Sequence, residues 1–313
     1  MIIFGYVKKY LKKYFLYGII FSGLNKNSHK RLEKFQDLVY SNKKHIEEVP
    51  MTDIITTTKN KKFKLIKSLK QKKARVNEGL FVVEGIKSVC DAVASDFQVK
   101  YIVMSESFYK DEIPSVNGDI EMLWVKDELF KTLCDTTTPQ GIMAVLKIKE
   151  PSCVYLDKSD LYIYCDNIQD PGNLGTIIRT ADAAGIGGVL LSDGCADLYS
   201  PKTVRSSMGS FFNIDIIPGF SYEALFDLKS KGFSLVCGAL KDDSKEYTDT
   251  DFAKPTVIIV GNEANGVNDD ILRECEHIII PIYGKAESLN AGVAASIMMY
   301  EAKRQRKEQN YGR

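Results

Sequence analysis

The sequence predicts an α/β protein: a mostly parallel sheet covered on both faces from about Leu161, and ahead of it a smaller α/β unit. Three observations carry this. The 313 residues exceed one average domain and leave ample length to bury a core. From Leu161 onward short, nearly continuous apolar runs alternate with helical patterns, as buried parallel strands and their crossovers do. Three of those runs end in loops rich in Gly, Asn and Pro, at the strand ends where open α/β sheets collect ligands.

The first 75 residues carry 19 Lys/Arg against 5 Asp/Glu, net +14, and the remainder is net −13, although the whole chain is only +1. Such a basic end suits a polyanion. Within it, "MIIFGYVKKYLKKYFLYGIIFSGL" has an apolar piece, Tyr14 to Phe21, too short to span a bilayer, and no convincing cleavage pattern follows it. Residues 1–50 are expected to be a poorly ordered basic extension, or translated sequence ahead of a start at Met51. A basic amphipathic surface helix is the alternative.

Residues 51–150 read as the small unit. In Lys59 to Gly79, Phe63, Ile66 and Leu69 recur at helical spacing among lysines, so one stripe faces a core. "LFVVEG" is a strand, "IKSVCDAVAS" a helix, "VKYIVMS" a strand, "KDELFKTLCDT" a helix and "GIMAVLKI" a closing strand. "KEPSCVYLDKSD" is a linker, which leaves 157–313 for the larger domain. There the expected strands are "LYIYCD", "GGVLLS", "FNIDII", "FSLVCGA", "TVIIVG" and "HIIIPI". Helices are expected at Leu174 to Ala184, Lys202 to Gly209, Tyr222 to Ser230, Asp269 to Glu274 and Leu289 to Arg306.

Seven scattered cysteines without a C-x-x-C pair suggest reduced thiols in a cytoplasmic protein, and His29, His45 and His277 are too dispersed for a metal cluster. No metal site is expected, and His277 reads as a strand-end histidine. Neither the dinucleotide G-x-G-x-x-G nor the P-loop pattern occurs at the strand ends, which argues against a nicotinamide oxidoreductase.

The three loops are "NIQDPGNLGTIIRTADAAG", "IIVGNEANGV" and "IPIYGKAESLNAGVAASI". In the first, Pro171 and Gly172 force a turn, Asn173 is placed to cap a helix, and Arg179 offers a fixed positive charge suited to a phosphate. In the second, two glycines flank Asn262, Glu263 and Asn265 in a polar turn, where Glu263 could cap the next helix or pair with Arg179. In the third, Ser288 and Asn290 stand at a helix start, where backbone N–H groups lie unpaired. A stripe of Ala, Gly and Ser follows, which would let backbones approach closely.

In that order and spacing, the three loops resemble the motifs of the SpoU/TrmH family of RNA 2′-O-ribose methyltransferases. The likeness covers roughly Leu161 to Arg304. Lys61 to Ile148, with "SLKQKKARVNEGLFVVEG" near its start, resembles the small substrate-binding domain that precedes the catalytic domain in many members. Met1 to about Pro50 has no counterpart.

The resemblance implies a trefoil-knotted sheet, a rare departure from unknotted topology, with S-adenosylmethionine as methyl donor. Gly261, Ile280 and Leu289 would bind that donor largely through backbone groups, and Asn173, Arg179, Glu263, Ser288 and Asn290 would serve catalysis and substrate orientation, with Glu263 holding Arg179 in place. It also implies a homodimer, expected through the helices after Leu174 and Asn290. RNA would then be tracked by Lys61, Lys62, Lys64, Lys67, Lys70, Lys72, Lys73 and Arg75. A preceding substrate-binding domain favours large-subunit ribosomal RNA over transfer RNA. A non-catalytic RNA-binding or ribosome-assembly protein that keeps the knot, and a knotted enzyme acting on a base nitrogen, are the rival readings. No membrane partner is expected.

Overall fold

A computed structural model of the chain describes residues 54–108, 120–149, 156–157 and 161–311. The expectations for residues 1–50, and most of the expected linker, lie outside these.

The first part runs β1 (Ile54–Ile55), α1 (Lys61–Ser68), α2 (Lys72–Glu78), β2 (Leu80–Glu84), α3 (Ile86–Ala94), β3 (Val99–Ser105), β4 (Glu121–Val125), α4 (Asp127–Leu133) and β5 (Ile142–Lys147). Its sheet has the order β1-β4-β3-β5-β2, with β5 antiparallel to both its neighbours. Phe63, Ile66 and Leu69 are buried on Val103, Val125, Phe130 and Val145, so the lysine-rich stretch does hold an apolar stripe inward. That stretch is two helices. Asn60 caps α1 through the N–H groups of Lys62 and Phe63, and α1 stops at Leu69, whose carbonyl and that of Lys70 accept the Arg75 guanidinium at 2.7 and 2.9 Å. β4 is a strand the sequence pattern did not single out.

The second part runs β6 (Leu161–Cys165), α5 (Pro171–Ala184), β7 (Gly188–Leu191), α6 (Pro201–Ser206), β8 (Ile216–Ile217), α7 (Tyr222–Ser230), β9 (Ser234–Gly238), β10 (Lys245–Glu246), β11 (Thr256–Val260), α8 (Asp269–Leu272), β12 (Glu276–Ile279) and α9 (Ala291–Tyr311). All its strand pairs are parallel, in the order β10-β12-β9-β11-β6-β7-β8. From β6 the chain builds outward through β7 and β8, then crosses to the other side. β6 and β11 therefore meet at the point where strand order reverses, which in open sheets is the ligand crevice. The expected strand "FNIDII" shrinks to Ile216–Ile217. Phe211 and Phe212 instead sit in a 3-10 turn and stack with Phe97, Phe81 and Tyr199, at centroid separations of 5.5–5.8 Å.

That aromatic group joins the two parts of the chain, because Phe81 and Phe97 belong to the first and Tyr199, Phe211 and Phe212 to the second. Beside it, buried Arg75 makes an ion pair with Asp197. One thiol expectation is corrected: Cys237 and Cys275 are joined as a disulfide, while Cys90, Cys134, Cys165 and Cys195 are free. A separation of 38 residues gave no pairing signal; adjacency of β9 and β12 creates it. No described helix is long and apolar enough to cross a membrane.

Candidate functional site

The site grows from the carboxyl ends of β6 and β11, which are in register at Cys165 and Val260. Asp166, immediately past β6, is 1% exposed. Its carboxylate accepts from the Tyr222 hydroxyl at 2.8 Å, the Asn167 side-chain amide at 2.9 Å and the Asn268 backbone N–H at 2.7 Å. A buried charge is tolerable only when so satisfied. Burial, and then the bond to Asp166, pushes the Tyr222 hydroxyl up to about 12, so it stays a donor. Asn167 adopts φ 54°, and its carbonyl accepts the Asn262 side chain at 2.8 Å. The first two loops are thus laced together behind the residues that face solvent.

Asp170, rather than Asn173, caps α5: its carboxylate accepts the Asn173 N–H at 2.9 Å, and Pro171 opens the helix. This corrects the capping expectation and leaves the Asn173 side chain available for other bonds. Its Nδ2 donates to Glu263 Oε1 at 2.7 Å, and its Oδ1 accepts from Asn290 Nδ2 at 2.8 Å. Asn290 Oδ1 in turn caps α9, accepting from the N–H groups of Gly292 and Val293 at 3.0 and 3.2 Å. A directional chain, helix N–H to Asn290 to Asn173 to Glu263, therefore ties the three loops at one place and fixes both amide orientations.

Glu263 also accepts the backbone N–H groups of Gln169 and Asp170, at 3.3 and 3.4 Å. Burial pulls its carboxyl upward, but the bonds from Asn173 and from the backbone of Glu263, Gln169 and Asp170 outweigh it and hold the group below the usual 4.5. A group with a depressed folded-state pKa stabilises above its unfolded pKa, and that contribution disappears as pH falls through the folded value. Glu263→Gln should therefore lower the urea midpoint at pH 7, with the gap to wild type closing as pH drops below 4.5. A gap that persisted once the carboxyl had been titrated in the folded protein would show that charge is not what Glu263 contributes.

Gly261 permits the second loop to close. Asn262 and Gly266 exchange two backbone bonds of 2.9 Å, Gly266 at φ 71°, and a Cβ at Gly261 would stand 2.2 Å from the Gly266 carbonyl carbon. Ile280 is half-buried, and Leu289 is exposed within a run, 282–290, that is exposed throughout and includes Tyr283 at 94%.

The structure thus joins Asn173, Glu263 and Asn290, and places Gly261 at the neck of the same loop. Ser288 is exposed two residues before Asn290 and, among the described residues, makes no hydrogen bond. Arg179 is exposed on α5 and, among the described residues, enters no hydrogen bond or ion pair. The expectation that Glu263 holds Arg179 is therefore corrected: Glu263 spends its carboxylate on the first loop. Sequence reading missed Asp166 and Tyr222, and named Asn262 only as part of a polar turn. A carboxylate directly after an all-apolar strand, in "LYIYCD", was the available signal.

Of the expected basic face, Lys61, Lys64, Lys67, Lys72 and Lys73 are exposed. Lys62 is ion-paired with Glu121, and Lys70 donates to the Cys134 carbonyl at 2.6 Å. Arg75 is a correction: at 4% exposure it closes α1 and holds Asp197, so it does not face solvent. The small-residue stripe of α9 packs on α5 within the chain. Thr180 and Ser296 hydroxyls meet at 3.0 Å, and a Cβ on Gly292 would lie 3.3 Å from Thr176. What α9 and the loop before it leave exposed is Leu289, Val293 and Tyr300, with Ile282 and Tyr283.

Comparison with known proteins adds an independent line. The profile of the SpoU rRNA methylase family matches residues 160–300, and that of the MRM3-like substrate binding domain matches residues 60–144. The 23S rRNA (guanosine(2553)-2′-O)-methyltransferase RlmP of Bacillus subtilis is 37% identical over 79% of this chain and 97% of its own length. Among solved structures, the AdoMet-bound rRNA methyltransferase of Sinorhizobium meliloti superposes with a TM-score of 0.73 at 33% identity, covering 80% of this chain and 97% of that one. The SpoU methyltransferase AviRb of Streptomyces viridochromogenes, in complex with AdoMet, superposes with a TM-score of 0.71 at 28% identity, covering 80% and 100%.

Proposed function

The chain belongs to the SpoU rRNA methylase family, and from that premise we propose that it methylates a ribose 2′-hydroxyl of large-subunit ribosomal RNA with S-adenosylmethionine as donor. The observation that carries this reading is the Glu263–Asn173–Asn290 chain, which gathers one polar residue from each of the three loops.

The donor supplies an electrophilic methyl group, so the chain's own residues need only place the ribose oxygen in line and handle its proton. The residues present fit the donor. Gly261 has no room for a side chain, so the second loop can offer backbone, and the neighbouring third loop exposes apolar Ile282 and Leu289. Gly261, Ile280 and Leu289 are assigned to it. Asn290 and Ser288 orient the ribose. Asn173 and Glu263 hold the first loop against the second, with Glu263 ionised and committed to its donors.

Arg179 clamps the phosphate 3′ of the target and stabilises the forming alkoxide. A guanidinium is protonated throughout the accessible pH range and is therefore no base; the 2′-hydroxyl proton passes to a phosphate oxygen or to water. Because Arg179 stands apart from the amide chain, the phosphate rather than Glu263 orders it.

Residues 51–150 form the RNA substrate-binding domain and 157–313 the knotted catalytic domain of a cytoplasmic homodimer. Since the α9 stripe is used internally, the dimer contact falls on the exposed apolar set around Leu289, Val293 and Tyr300.

Exposed Lys61, Lys64, Lys67 and Lys72 track RNA phosphates. Changing all four to Glu should weaken RNA binding at least about 100-fold and shrink the slope of log K against log salt by about 3, in filter-binding titrations across salt concentrations. Unchanged affinity would remove these lysines from the RNA path.

The function itself is tested by incubating the protein and labelled donor with undermethylated ribosomal RNA and, separately, with total transfer RNA. One alkali-resistant 2′-O-methyl site in ribosomal RNA is expected. Label confined to transfer RNA would overturn the substrate, and label on a base the reaction.

A further inference from the structure

Cys237 on β9 and His277 on β12 are register partners in a parallel pair, so their side chains share one face of the sheet. Cys275 stands two residues before His277 and falls on that face as well. The two sulfurs and one imidazole nitrogen lie within 4.8 Å of one another. The cluster sits beside Leu235, Ile259 and Ile271, away from α9, whose Met298 covers Gly238 on the other side. Cys237 is buried, while Cys275 and His277 are half-buried, so the cluster opens to solvent on one side. His277 Nδ1 is 2.7 Å from the Asp243 carboxylate and Nε2 is 2.8 Å from the Leu272 carbonyl. A plain crosslink needs two cysteines; it has no use for an imidazole on the same face with a carboxylate on its far nitrogen.

We propose that Cys237, Cys275 and His277 form a redox-gated site for Zn²⁺, held by two thiolates and an imidazole in the reduced protein and released when the sulfurs join. Two thiolates and one imidazole are a three-ligand zinc set that leaves a fourth position to water. Their softness selects Zn²⁺ over Mg²⁺ or Ca²⁺. Asp243 serves as the outer partner that fixes the ring, and the Leu272 bond is exchanged for the metal. Binding releases the two thiol protons and the Nε2 proton that His277 donates to the Leu272 carbonyl. Release needs an oxidant, and a low-molecular-weight disulfide suffices. The two thiolates lose two electrons to form the Cys237–Cys275 bond, the oxidant is reduced to two small thiolates, and Zn²⁺ departs because a single imidazole cannot hold it.

The site lies close to the candidate donor loops: Ile259, opposite Cys237, precedes Gly261 by two residues, and His277 precedes Ile280 by three. The inference does not depend on the methyl-transfer reading.

The test uses the full chain, prepared in reductant and equilibrated with Zn²⁺, with bound metal counted by a chromogenic chelator and Co²⁺ substituted to read thiolate-to-metal absorption. One ion per chain is expected. His277→Ala should weaken binding at least 10-fold, and Cys275→Ser should abolish the thiolate band while melting cooperatively. Oxidised glutathione should release one Zn²⁺ for each two thiols lost. Reduced wild type holding no stoichiometric zinc, or zinc retained by the double variant Cys237→Ser/Cys275→Ser, would overturn the proposal and leave a simple crosslink.

Discussion

Arg179→Lys is expected to lose at least about 100-fold in single-turnover methyl transfer, while donor binding and thermal stability stay at wild-type levels. The side chain is exposed and enters no hydrogen bond or ion pair among the described residues, so folding has little stake in it. Lysine keeps the positive charge but not the planar fork that grips two phosphate oxygens, and it is the fork that aims charge at the developing alkoxide. Losing one such preorganised donor in other active sites costs about 100- to 1,000-fold. A lysine variant retaining a third of the wild-type rate would reduce Arg179 to a surface charge, and the 2′-hydroxyl would need another electrostatic partner.

Arg75→Ala is expected to cost about 3 kcal/mol of unfolding free energy, the low end for breaking a buried ion pair, since the Asp197 side chain keeps 18% of its surface in water. Three losses combine. Asp197 is left without its counter-charge, the Leu69 and Lys70 carbonyls at the end of α1 lose their donor, and the contact between the two parts of the chain loses its ion pair. Urea unfolding measures the cost, and a double-mutant cycle with Asp197→Ala isolates the pair. The RNA-binding salt slope should stay unchanged, because the guanidinium is buried against Asp197. A smaller slope would return Arg75 to the RNA face.

These two arginines show where residue patterns inform and where they mislead. Both lie in segments rich in small or basic residues, and both look available for phosphate. Arg179 keeps that availability because α5 turns it outward. Arg75 loses it because the chain breaks after Leu69 and folds a second helix back, turning a surface charge into a helix cap. Helical periodicity correctly placed Phe63, Ile66 and Leu69 inward, yet it carries no information about where a helix ends when the ending group is contributed from six residues away. β4 went unread because its burial depends on which strands lie beside it.

The amide chain was half legible. Asn173, Glu263 and Asn290 could be named from their loops, but the expected bond from Glu263 to Arg179 was wrong. Choosing among partners 90 to 117 residues apart requires knowing that Asp170 takes the cap and leaves Asn173 to bridge. Cys237, Cys275 and His277 were read one at a time as a scattered thiol, another thiol and a strand-end histidine. Parallel register alone places them on one face.

What the sequence determined by itself was the alternation of buried strands and helices and the three strand-end loops, because those depend on local periodicity and on Gly, Pro and Asn backbone chemistry within a few residues. Tertiary structure decided which side chains meet: hydrogen bonds and ion pairs form between groups distant along the chain, and their partners exist only once the sheet has set strand order and register.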